Sequence, residues 1–438
     1  MNLPQISEAI SPAGIGQAMF ELIADLYPIC RSITGNGVRQ TLKRIQQVVP
    51  IEIHEVPSGT KVFDWEVPDE WNIRDAYIKN AGGERLVDFH HSNLHVLNYS
   101  IPFRGRMGLH ELKEHIFTLP EHPDWIPYRT SYYKRQWGFC MTHRQFMKLR
   151  DEEYEVCIDA TLAPGSLTYG ELCLPGRTTD EVLVSCHVCH PSLCNDNLSG
   201  IALAAYLARR LSEQGRRYTY RFVFIPGTIG SITWLALNRT NVARIKHGLV
   251  VACVGDSGRL TYKKSRQGNA EIDRAVQHVL KHSGSEYEVL DFVPYGYDER
   301  QYGSPGFNLP IGSLTRTPHG RYPEYHTSAD NLEFVSSEAL AVSLDMYQRV
   351  LDVLENNRRY RNLNPYCEPQ LGKRGLYGPV GGQADRHLRE MALLWVLNLS
   401  DGENSLLDIA DRANLNFVHI RQAAKDLEEC GLLEECQG

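Results

Sequence analysis

Hydrophobic residues recur along the chain with two different spacings, which separate predicted helices from predicted strands. From residue 14 to residue 48 they fall at helical spacing, and Pro28 and the Gly-Asn-Gly turn at 35–37 divide this stretch into two helices. Further helices are predicted at 200–215, 229–238 and 271–284.

Short hydrophobic runs lie before and between the later helices. The runs VCIDATL, GELCL, DEVLVSCH, YRFVFIP and HGLVVACVGD begin at residues 156, 170, 180, 220 and 247, and they predict strands. Strands that alternate with helices favour an α/β fold in which a mostly parallel sheet is sandwiched by helices. In such folds the functional residues lie beyond the carboxyl ends of the strands.

Two regions depart from this pattern. Residues 55–140 are rich in aromatic residues, proline and glycine, with short alternating runs such as NLHVLNYSI, and they predict an inserted β-rich subdomain. After a polar linker, the helix, turn, helix and final apolar run near the C-terminus are typical of a winged helix. We therefore predict an α/β core at 1–54 and 141–360, the insert at 55–140, and a winged-helix-like domain at 376–438.

Charge and composition limit the classes of partner. The 438 residues carry a formal net charge of -7 without a long block of one sign, which argues against binding to nucleic acid or to anionic membranes. No stretch of about 18 residues is continuously apolar, and no secretory signal is recognisable, so a cytoplasmic location is expected. The odd number of cysteines, eleven, indicates reduced thiols rather than a disulfide framework.

Candidate metal ligands follow the predicted strands. His187 and His190 lie at the end of one strand, Asp196 in the next loop, Asp256 after a later strand and His326 in the segment PEYHTSADNLEFV. Imidazole and carboxylate groups at one sheet edge suit a hydrolytic zinc ion, because three protein ligands leave a position for a water molecule. Each residue alone is more often a cap or a hydrogen-bonding group, so the hypothesis depends on their joint placement.

A structural zinc site built from cysteines is an alternative to this hypothesis. Cys186 and Cys189 form a CxxC pair close to the candidate histidines, and thiolates bind zinc well. The chain has no second CxxC, which disfavours this alternative.

Several motifs resemble those of the co-catalytic zinc aminopeptidases, the family of the bacterial leucyl aminopeptidases and glutamate carboxypeptidases. They are NDNLSG at 195–200, the VGD at 254–256 and YHTSADNLEFV at 325–335. The chain is more specifically similar to a little-characterised aminopeptidase-like branch, marked by LYPICRSITGNGVRQTL at 26–42, CHPSLCNDNLSG at 189–200 and DERQYGSPGFNLP at 298–310. The resemblance implies the zinc-aminopeptidase fold with an inserted β subdomain, a C-terminal winged helix and a link to surface-polysaccharide biosynthesis.

The resemblance also implies a role for each candidate ligand. Asp196 would bridge two metals, Asp256 and one histidine would complete one site, and His326 would belong to the other. Strand alternation favours His187, at the strand-end position of the broad family. The CHP motif of the narrower branch favours His190, and we prefer it because that motif covers more residues.

The chain departs from the broad family where that family has a Glu-Glu pair, one carboxylate serving as general base and the next as a metal ligand. No aspartate or glutamate occurs from Phe222 to Leu237. We therefore predict one zinc ion per chain rather than two, and a general base from elsewhere. The candidates for this base are Asp298, Glu299 and Glu324, and the alternative is that they form ion pairs with nearby arginines.

Arginines and tyrosines near the late motifs are candidate substrate-binding residues. Arg300, Arg316 and Arg321 could bind a substrate carboxylate or phosphate through paired hydrogen bonds. Tyr302 and Tyr325 could line the pocket. The arginines could equally be solvated or structural, and tyrosines in such positions are more often packing residues.

The winged-helix-like tail is acidic. Between residues 405 and 435 it has seven acidic and three basic residues, whereas DNA contacts require a basic face. We expect a packing or dimerisation module rather than one that binds nucleic acid, and a dimerisation role would make the protein a homo-oligomer.

The leading functional hypothesis is a zinc-dependent hydrolase that cleaves an amide or peptide bond next to a free amine or carboxylate. Its substrate would be a small peptide or an amino-acyl or acyl-amino sugar. The alternative is a catalytically silent aminopeptidase-like protein that binds such a ligand or acts as a scaffold in polysaccharide biosynthesis, and the missing Glu-Glu pair favours it.

Overall fold

The structure, a computed structural model, describes residues 12–377 and 383–436. The larger of two units comprises the described residues up to Gly268 together with Glu286–Asp345. The smaller unit comprises Asn269–Ser285 and the described residues from Met346 onward.

The helices and strands are numbered in chain order. The helices are α1 (Pro12–Leu26), α2 (Asn36–Val48), α3 (Leu109–Leu112), α4 (His143–Phe146), α5 (Gly200–Ser212), α6 (Ile229–Leu237), α7 (Glu271–Lys281), α8 (Glu299–Tyr302), α9 (Ser337–Asn356), α10 (Gln383–Leu399), α11 (Leu406–Ala413) and α12 (Phe417–Glu429). The strands are β1 (Glu52–Pro57), β2 (Lys61–Val62), β3 (Trp65–Glu66), β4 (Glu70–Lys79), β5 (Arg85–Asp88), β6 (Phe103–Gly108), β7 (Ile116–Phe117), β8 (Phe139–Cys140), β9 (Glu153–Ala163), β10 (Ser166–Leu174), β11 (Glu181–His187), β12 (Thr219–Ile225), β13 (Ile245–Val251), β14 (Leu260–Lys263), β15 (Tyr287–Leu290), β16 (Ile311–Thr315), β17 (Arg359–Asn362), β18 (Asp401–Ser405) and β19 (Leu433–Glu435).

A mixed sheet forms the centre of the larger unit. Among the described residues it has eight strands, in the order β1-β10-β12-β11-β13-β16-β14-β15. The four strands β12, β11, β13 and β16 are parallel, whereas β10 and β14 run antiparallel to their neighbours β12 and β16. The predicted α/β fold is confirmed, and the antiparallel strands lie outside its parallel centre.

The central strands are continuously hydrophobic because helices pack on them. Every residue of β11 is buried, and α5 packs against β11, β12 and β13. Leu183 and Val223 share one core cluster with Ile232 and Trp234 of α6. The parallel strands are in register, with Cys186 opposite both Phe224 and Val251, so their carboxyl ends meet at one edge.

The insert contributes a four-stranded antiparallel sheet in the order β5-β4-β9-β6. Strand β9 follows residue 140, so this sheet continues beyond the predicted end of the insert. The run at 93–101, predicted as strand-like, instead contains a 3-10 turn at Asn93–His95 and an irregular chain. Asn98 explains the difference, because its backbone and side chain bond to neighbouring loops, including the Arg129 carbonyl and the Ser32 hydroxyl.

The smaller unit contains α10, α11 and α12 together with the sheet β18-β17-β19. Strand β17 lies before residue 376 and pairs with both other strands. His278 of α7 accepts a hydrogen bond from the Phe417 backbone at 3.0 Å and contacts Asp411 at 2.7 Å, which holds the start of α12. Arg421 pairs with Asp352 at 2.7 Å, so part of the unit's charge is neutralised internally.

None of the helices within residues 12–377 and 383–436 has the length and hydrophobicity needed to cross a bilayer. All eleven cysteines are free thiols.

The connection between α1 and α2 is packed tightly beneath the carboxyl edge of the sheet. Arg31 is fully buried there, and its Nη1 donates to the Leu26 carbonyl at 2.8 Å. Gly37 lies against the same connection, since a Cβ atom at this position would come within 1.9 Å of the Cys30 carbonyl oxygen. The sequence therefore requires glycine here for close approach of two backbones.

We expect Gly37→Ala to lower the free energy of unfolding by about 1–3 kcal/mol, because the added methyl group must displace the backbone at residue 30. Denaturant titration of the full chain measures this change. Gly215→Ala is the matched control, since a Cβ atom there meets no heavy atom within 4 Å. Equal losses in the two variants would contradict the packing explanation.

Candidate functional site

Asp196 is the centre of a cluster of histidines beyond the carboxyl end of β11. It lies in the irregular turn Cys194–Ser199 that leads into α5, and it is fully buried. Its Oδ1 is 2.9 Å from Nε2 of His187, and its Oδ2 is 3.0 Å from Nε2 of His326. Nε2 of His190 lies 4.0 Å from Oδ2, so three imidazoles surround one carboxylate.

His187 is the last residue of β11, and alternation along the strand directs its side chain to the same face as Ser185. The ring is almost fully buried. The Asn197 amide nitrogen lies 3.2 Å from its Nδ1 and donates to the Val251 carbonyl at 3.0 Å. This contact orients the ring so that Nε2 faces Asp196.

Arg31 holds the backbone of His190 from below. Its Nε donates to the His190 carbonyl at 2.8 Å. The His190 ring packs edge-on against His187 and against Tyr128, with ring centres 4.9 Å and 5.2 Å apart. The motif at 26–42 therefore contributes to the site through a positioning contact.

The insert holds the loop that carries His326. The Tyr128 backbone donates to the His326 carbonyl at 2.7 Å, and Pro127 and Thr327 form a short antiparallel bridge. His326 adopts a φ of +57°, a conformation that is uncommon for a residue other than glycine. Such backbone strain is maintained only where surrounding contacts enforce it, as this bridge does.

Asp330 supports the turn that carries Asp196. Its two carboxylate oxygens accept hydrogen bonds from the backbones of Asn195 and Asp196, at 2.6 Å and 3.0 Å. Burial, the first cause, and the nearby carboxylates raise the pKa of Asp330 to about 8 despite these bonds.

The electrostatics of the cluster favour an ionised Asp196 carboxylate beside a neutral His190 imidazole. Burial alone would raise the pKa of Asp196, but the electrostatic interaction with His190 and the hydrogen bonds to His187 and His326 hold it well below its usual value. Burial lowers the pKa of His190 to about 3, against the opposing attraction of Asp196. A neutral imidazole keeps a lone pair for a metal ion.

The donor set fits a divalent transition metal. One ligand atom each from His187, His190 and Asp196 lies within 4.8 Å of the others, and His326 contacts the same carboxylate. Imidazole nitrogens with one carboxylate are typical zinc ligands. Both candidate histidines thus reach Asp196, and the structure does not require a choice between them.

Asp256, predicted as a ligand, is not brought into this cluster. Its Oδ1 accepts hydrogen bonds from the Gly258 backbone and the Thr317 hydroxyl, at 2.7 Å and 2.6 Å. Its Oδ2 accepts from Asn195 Nδ2 at 2.9 Å and from the Thr317 backbone at 3.2 Å. Four donors occupy the carboxylate, which ties two loops together behind the cluster.

The loop after β12, where the broad family has its Glu-Glu pair, contains Gly227. A Cβ atom there would lie 3.3 Å from Sγ of Cys189 and 3.5 Å from Cβ of His187. The Gly227 backbone donates to the same sulfur at 3.2 Å. Cys189 thus fills the space beside the cluster, and its pKa is raised to about 12 by burial, so the thiol is protonated.

The cluster forms one wall of a cavity of about 310 Å³. The remaining walls include four tyrosines, and they come from the α1–α2 connection, the segment after β11, the insert, the loop after β12, the segment around α8 and the loop of His326. The lining residues outside the cluster include Ile33, Tyr132, Tyr133, Thr228, Tyr297, Asp298, Arg300 and Tyr325.

Asp298 is the candidate base that lines this cavity. Its Oδ1 accepts hydrogen bonds from the Thr228 backbone at 2.8 Å and from the Ser231 hydroxyl at 3.0 Å. Within the described residues no hydrogen bond reaches Oδ2. Burial raises the pKa of this carboxyl, although the charge of His187 opposes the shift.

The other two candidate bases lie elsewhere. Glu299 is fully buried and pairs with Lys263 at 2.5 Å in a second cavity of about 160 Å³. Glu324 lines neither cavity, and within residues 12–377 and 383–436 its side chain forms no hydrogen bond or ion pair.

Two of the five candidate substrate-binding residues line the cavity of the cluster, and three do not. Arg300 and Tyr325 line the cavity of the cluster. Arg316 is buried and donates to the Gly258 carbonyl at 2.7 Å, which is a structural contact. Arg321 pairs with Glu288 at 2.9 Å, and Tyr302 is buried with its hydroxyl 2.8 Å from Ser185.

A sequence model of the family described as Domain of unknown function (DUF4910) matches residues 20–357. This chain belongs to that family. A winged helix-turn-helix model matches residues 358–435. The family assignment covers the sheet, the insert and the histidine cluster, while the second match covers the sheet and three helices of the smaller unit.

A relative from Clostridium acetobutylicum is 54% identical over 419 residues, which are 96% of each chain. Its name describes a candidate polysaccharide biosynthesis protein with an aminopeptidase-like domain. A crystal structure of a candidate peptidase from Clostridium acetobutylicum is 52% identical, with a TM-score of 0.93 and 97% coverage of both chains. This family member therefore has a relative of the same two-part organisation.

More distant structures identify the fold. BSAP, a zinc aminopeptidase from Bacillus subtilis, has a TM-score of 0.57 at 14% identity, covering 81% of this chain and 96% of that one. An aminopeptidase from Aneurinibacillus sp. strain AM-1 has a TM-score of 0.50 at 14% identity, covering 78% and 93%. The predicted resemblance to the zinc-aminopeptidase fold is confirmed.

Sequence reasoning did not identify Arg31, Tyr128 and Asp330 as parts of the site. Arg31 and Asp330 lie inside quoted motifs, so their position beside candidate ligands was a usable signal. Tyr128 lies in the insert, far from every motif, and nothing in the sequence pattern places it between two histidine rings.

We expect Asp196→Asn to lose zinc, because it replaces the carboxylate at the centre of the cluster by a neutral amide. Metal content per chain after dialysis measures this. Asp256→Asn is the control and should retain the metal, but it should lose about 1–3 kcal/mol of stability because its carboxylate serves four donors. Loss of zinc in Asp256→Asn would show that Asp256 is a ligand.

Proposed function

We propose that this protein is a zinc-dependent hydrolase that cleaves an amide or peptide bond. The observation that carries the proposal is the buried Asp196 carboxylate surrounded by three imidazoles at one wall of a cavity. Zinc bound by His187, His190, Asp196 and His326 would supply a Lewis acid that polarises a carbonyl and acidifies water.

Asp298 is the proton carrier in this proposal. Thr228 and Ser231 hold its Oδ1, which leaves Oδ2 to accept a proton from the attacking water and to return it to the leaving nitrogen. Burial supports this role, because a carboxyl whose pKa is raised towards neutrality is a better general base and acid at neutral pH.

The donor set supports one zinc ion per chain. A second site would need carboxylates beyond Asp196, and the loop after β12 supplies none, since no aspartate or glutamate occurs from Phe222 to Leu237. The Asp256 carboxylate is occupied by four hydrogen-bond donors. Within the described residues, the cluster is left with three histidines and a single carboxylate.

The walls of the cavity support a small substrate. Its volume of about 310 Å³ suits a dipeptide-sized molecule or an N-acylated monosaccharide, and its tyrosines offer surfaces for an apolar or sugar face. The relative's name, which refers to polysaccharide biosynthesis, supports an acyl-amino or amino-acyl sugar in addition to peptides.

A second candidate function is ligand binding without turnover. Gly227 favours it, because the carboxylate that commonly activates water in this fold has no counterpart in the loop after β12. Under this alternative Asp298 would bind the ligand instead of transferring a proton.

For the smaller unit we propose a packing or dimerisation role without nucleic acid. Its basic side chains Arg274, Arg389 and Arg421 all pair with carboxylates of the same unit. These pairs reduce the positive charge that the unit can offer to phosphates.

We expect the full chain to hydrolyse members of a pool of aminoacyl-anilides, N-acetylated dipeptides and N-acetylated amino sugars, and we expect a chelator to abolish this activity. Mass spectrometry of the pool before and after incubation measures it, and added zinc should restore turnover. The absence of any chelator-sensitive product would favour the binding protein.

We expect Asp298→Asn to reduce the rate about 10²–10⁴-fold, the usual contribution of a general base, while zinc content stays unchanged. Steady-state kinetics and metal analysis measure both quantities. Glu299→Gln is the neighbouring control: it should keep the rate but lose about 1–3 kcal/mol of stability, since Lys263 loses its partner. A full rate in Asp298→Asn would exclude it as the base.

A further inference from the structure

Arg300 is a guanidinium group without an anionic partner in the cavity of the cluster. Its Nε is buried and has no hydrogen-bond partner among the described residues. Its Nη2 donates to the Thr228 hydroxyl at 3.4 Å, a long contact, and its guanidinium lies 5.9 Å from the centre of the Tyr295 ring. No ion pair to Arg300 occurs in the described parts of the chain.

Other arginines of this region use their donors within the protein. Arg316 donates to the Gly258 carbonyl and to the Ser343 hydroxyl. Arg321 and Arg259 both pair with Glu288. Arg300 differs from them because it combines unused donors with a position in the cavity wall.

Asp298 lies in the same wall but does not neutralise Arg300. Its Oδ1 accepts from Thr228 and Ser231, and no contact within ion-pair distance joins the two side chains. The adjacent Glu299 belongs to the second cavity, where it pairs with Lys263. The positive charge of Arg300 is therefore available to a molecule that enters the cavity.

The chemistry of this group selects a carboxylate. A planar guanidinium with free N–H groups binds carboxylates through parallel hydrogen bonds, and a half-buried, unpaired charge gains the most from such a partner. Asp196 is already surrounded by three histidines. Apart from Asp298, the lining therefore offers no carboxylate to receive the free amine of an aminopeptidase substrate.

We propose that Arg300 binds a carboxylate of the substrate, so that the protein acts on N-acyl compounds with a free carboxylate rather than on aminoacyl compounds with a free amine. This inference rests on the proposed hydrolase function for its account of turnover. The binding contact itself depends only on Arg300 and the cavity.

Matched ligand pairs test the proposal on the full chain treated with chelator, so that turnover does not disturb the measurement. One pair is N-acetyl-dialanine and its C-terminal amide, and the other is N-acetylmuramic acid and N-acetylglucosamine. Ligand-observed NMR gives the dissociation constants. We expect the carboxylate of each pair to bind about tenfold or more tightly, the usual effect of a charge-assisted hydrogen-bonded pair.

Variants of Arg300 and Arg259 test whether Arg300 causes the preference for the carboxylate. Arg300→Gln should bind both members of a pair equally, whereas Arg300→Lys should keep part of the preference because it retains the charge. Arg259→Gln should behave as the unmodified protein, since Arg259 is exposed and lines neither cavity. Circular dichroism of each variant establishes that it is folded.

Equal binding within both pairs, or a preference that survives Arg300→Gln, would overturn the proposal. Tighter binding of N-acetylglucosamine 6-phosphate than of N-acetylmuramic acid would overturn it as well, because the site would then be a phosphate site. Chelator-sensitive hydrolysis without a carboxylate preference would leave the hydrolase intact and remove this inference. A carboxylate preference that depends on Arg300, without any hydrolysis, would support carboxylate binding by Arg300 and contradict the proposed hydrolase function.

Discussion

The burial of one carboxylate determines the construction of the site. Removing the charge of Asp196 from water would cost several kcal/mol without partners, and imidazoles from separate segments surround it. Each of those imidazoles needs its own support, which Asn197 gives to one ring and Arg31 to the backbone of another. Asp330 in turn fixes the backbone on which the carboxylate stands. The compensation of one charge thus extends into a network of contacts that unites distant parts of the sequence.

The segment before and within α8 separates two environments. Asp298 and Arg300 line the cavity of the cluster, whereas the intervening Glu299 points into the second cavity and is sealed by Lys263. The segment therefore places a carboxyl group and a guanidinium group in the cavity of the cluster, and an internal ion pair in the second cavity. A shift of one residue in this segment would bring Glu299 to the cavity of the cluster in place of Asp298.

The regular elements of the centre follow from hydrophobic pattern, because β11, β12, β13 and α5 are mostly buried and their sequences are continuously or periodically apolar. The short strands β14, β15 and β16 could not be predicted in this way. Each has only four or five residues, which is too few to show a clear hydrophobic pattern. In the site, strand ends and motifs were sufficient to nominate His187, His190, Asp196 and His326. They could not reveal that both carboxylate oxygens of Asp256 accept hydrogen bonds from neighbouring loops, because hydrogen-bond partners depend on tertiary contacts.

The short bridge between the insert and the loop of His326 joins segments roughly 200 residues apart in sequence. Closing so long a loop is entropically costly and belongs to the slow, non-local part of folding. A chain synthesised only through the insert would contain Tyr132 and Tyr133 but would lack most of the other residues that form the cavity. The cavity is consequently a property of the completed unit, and a cut or misfolded insert would also remove the contacts that hold the loop of His326.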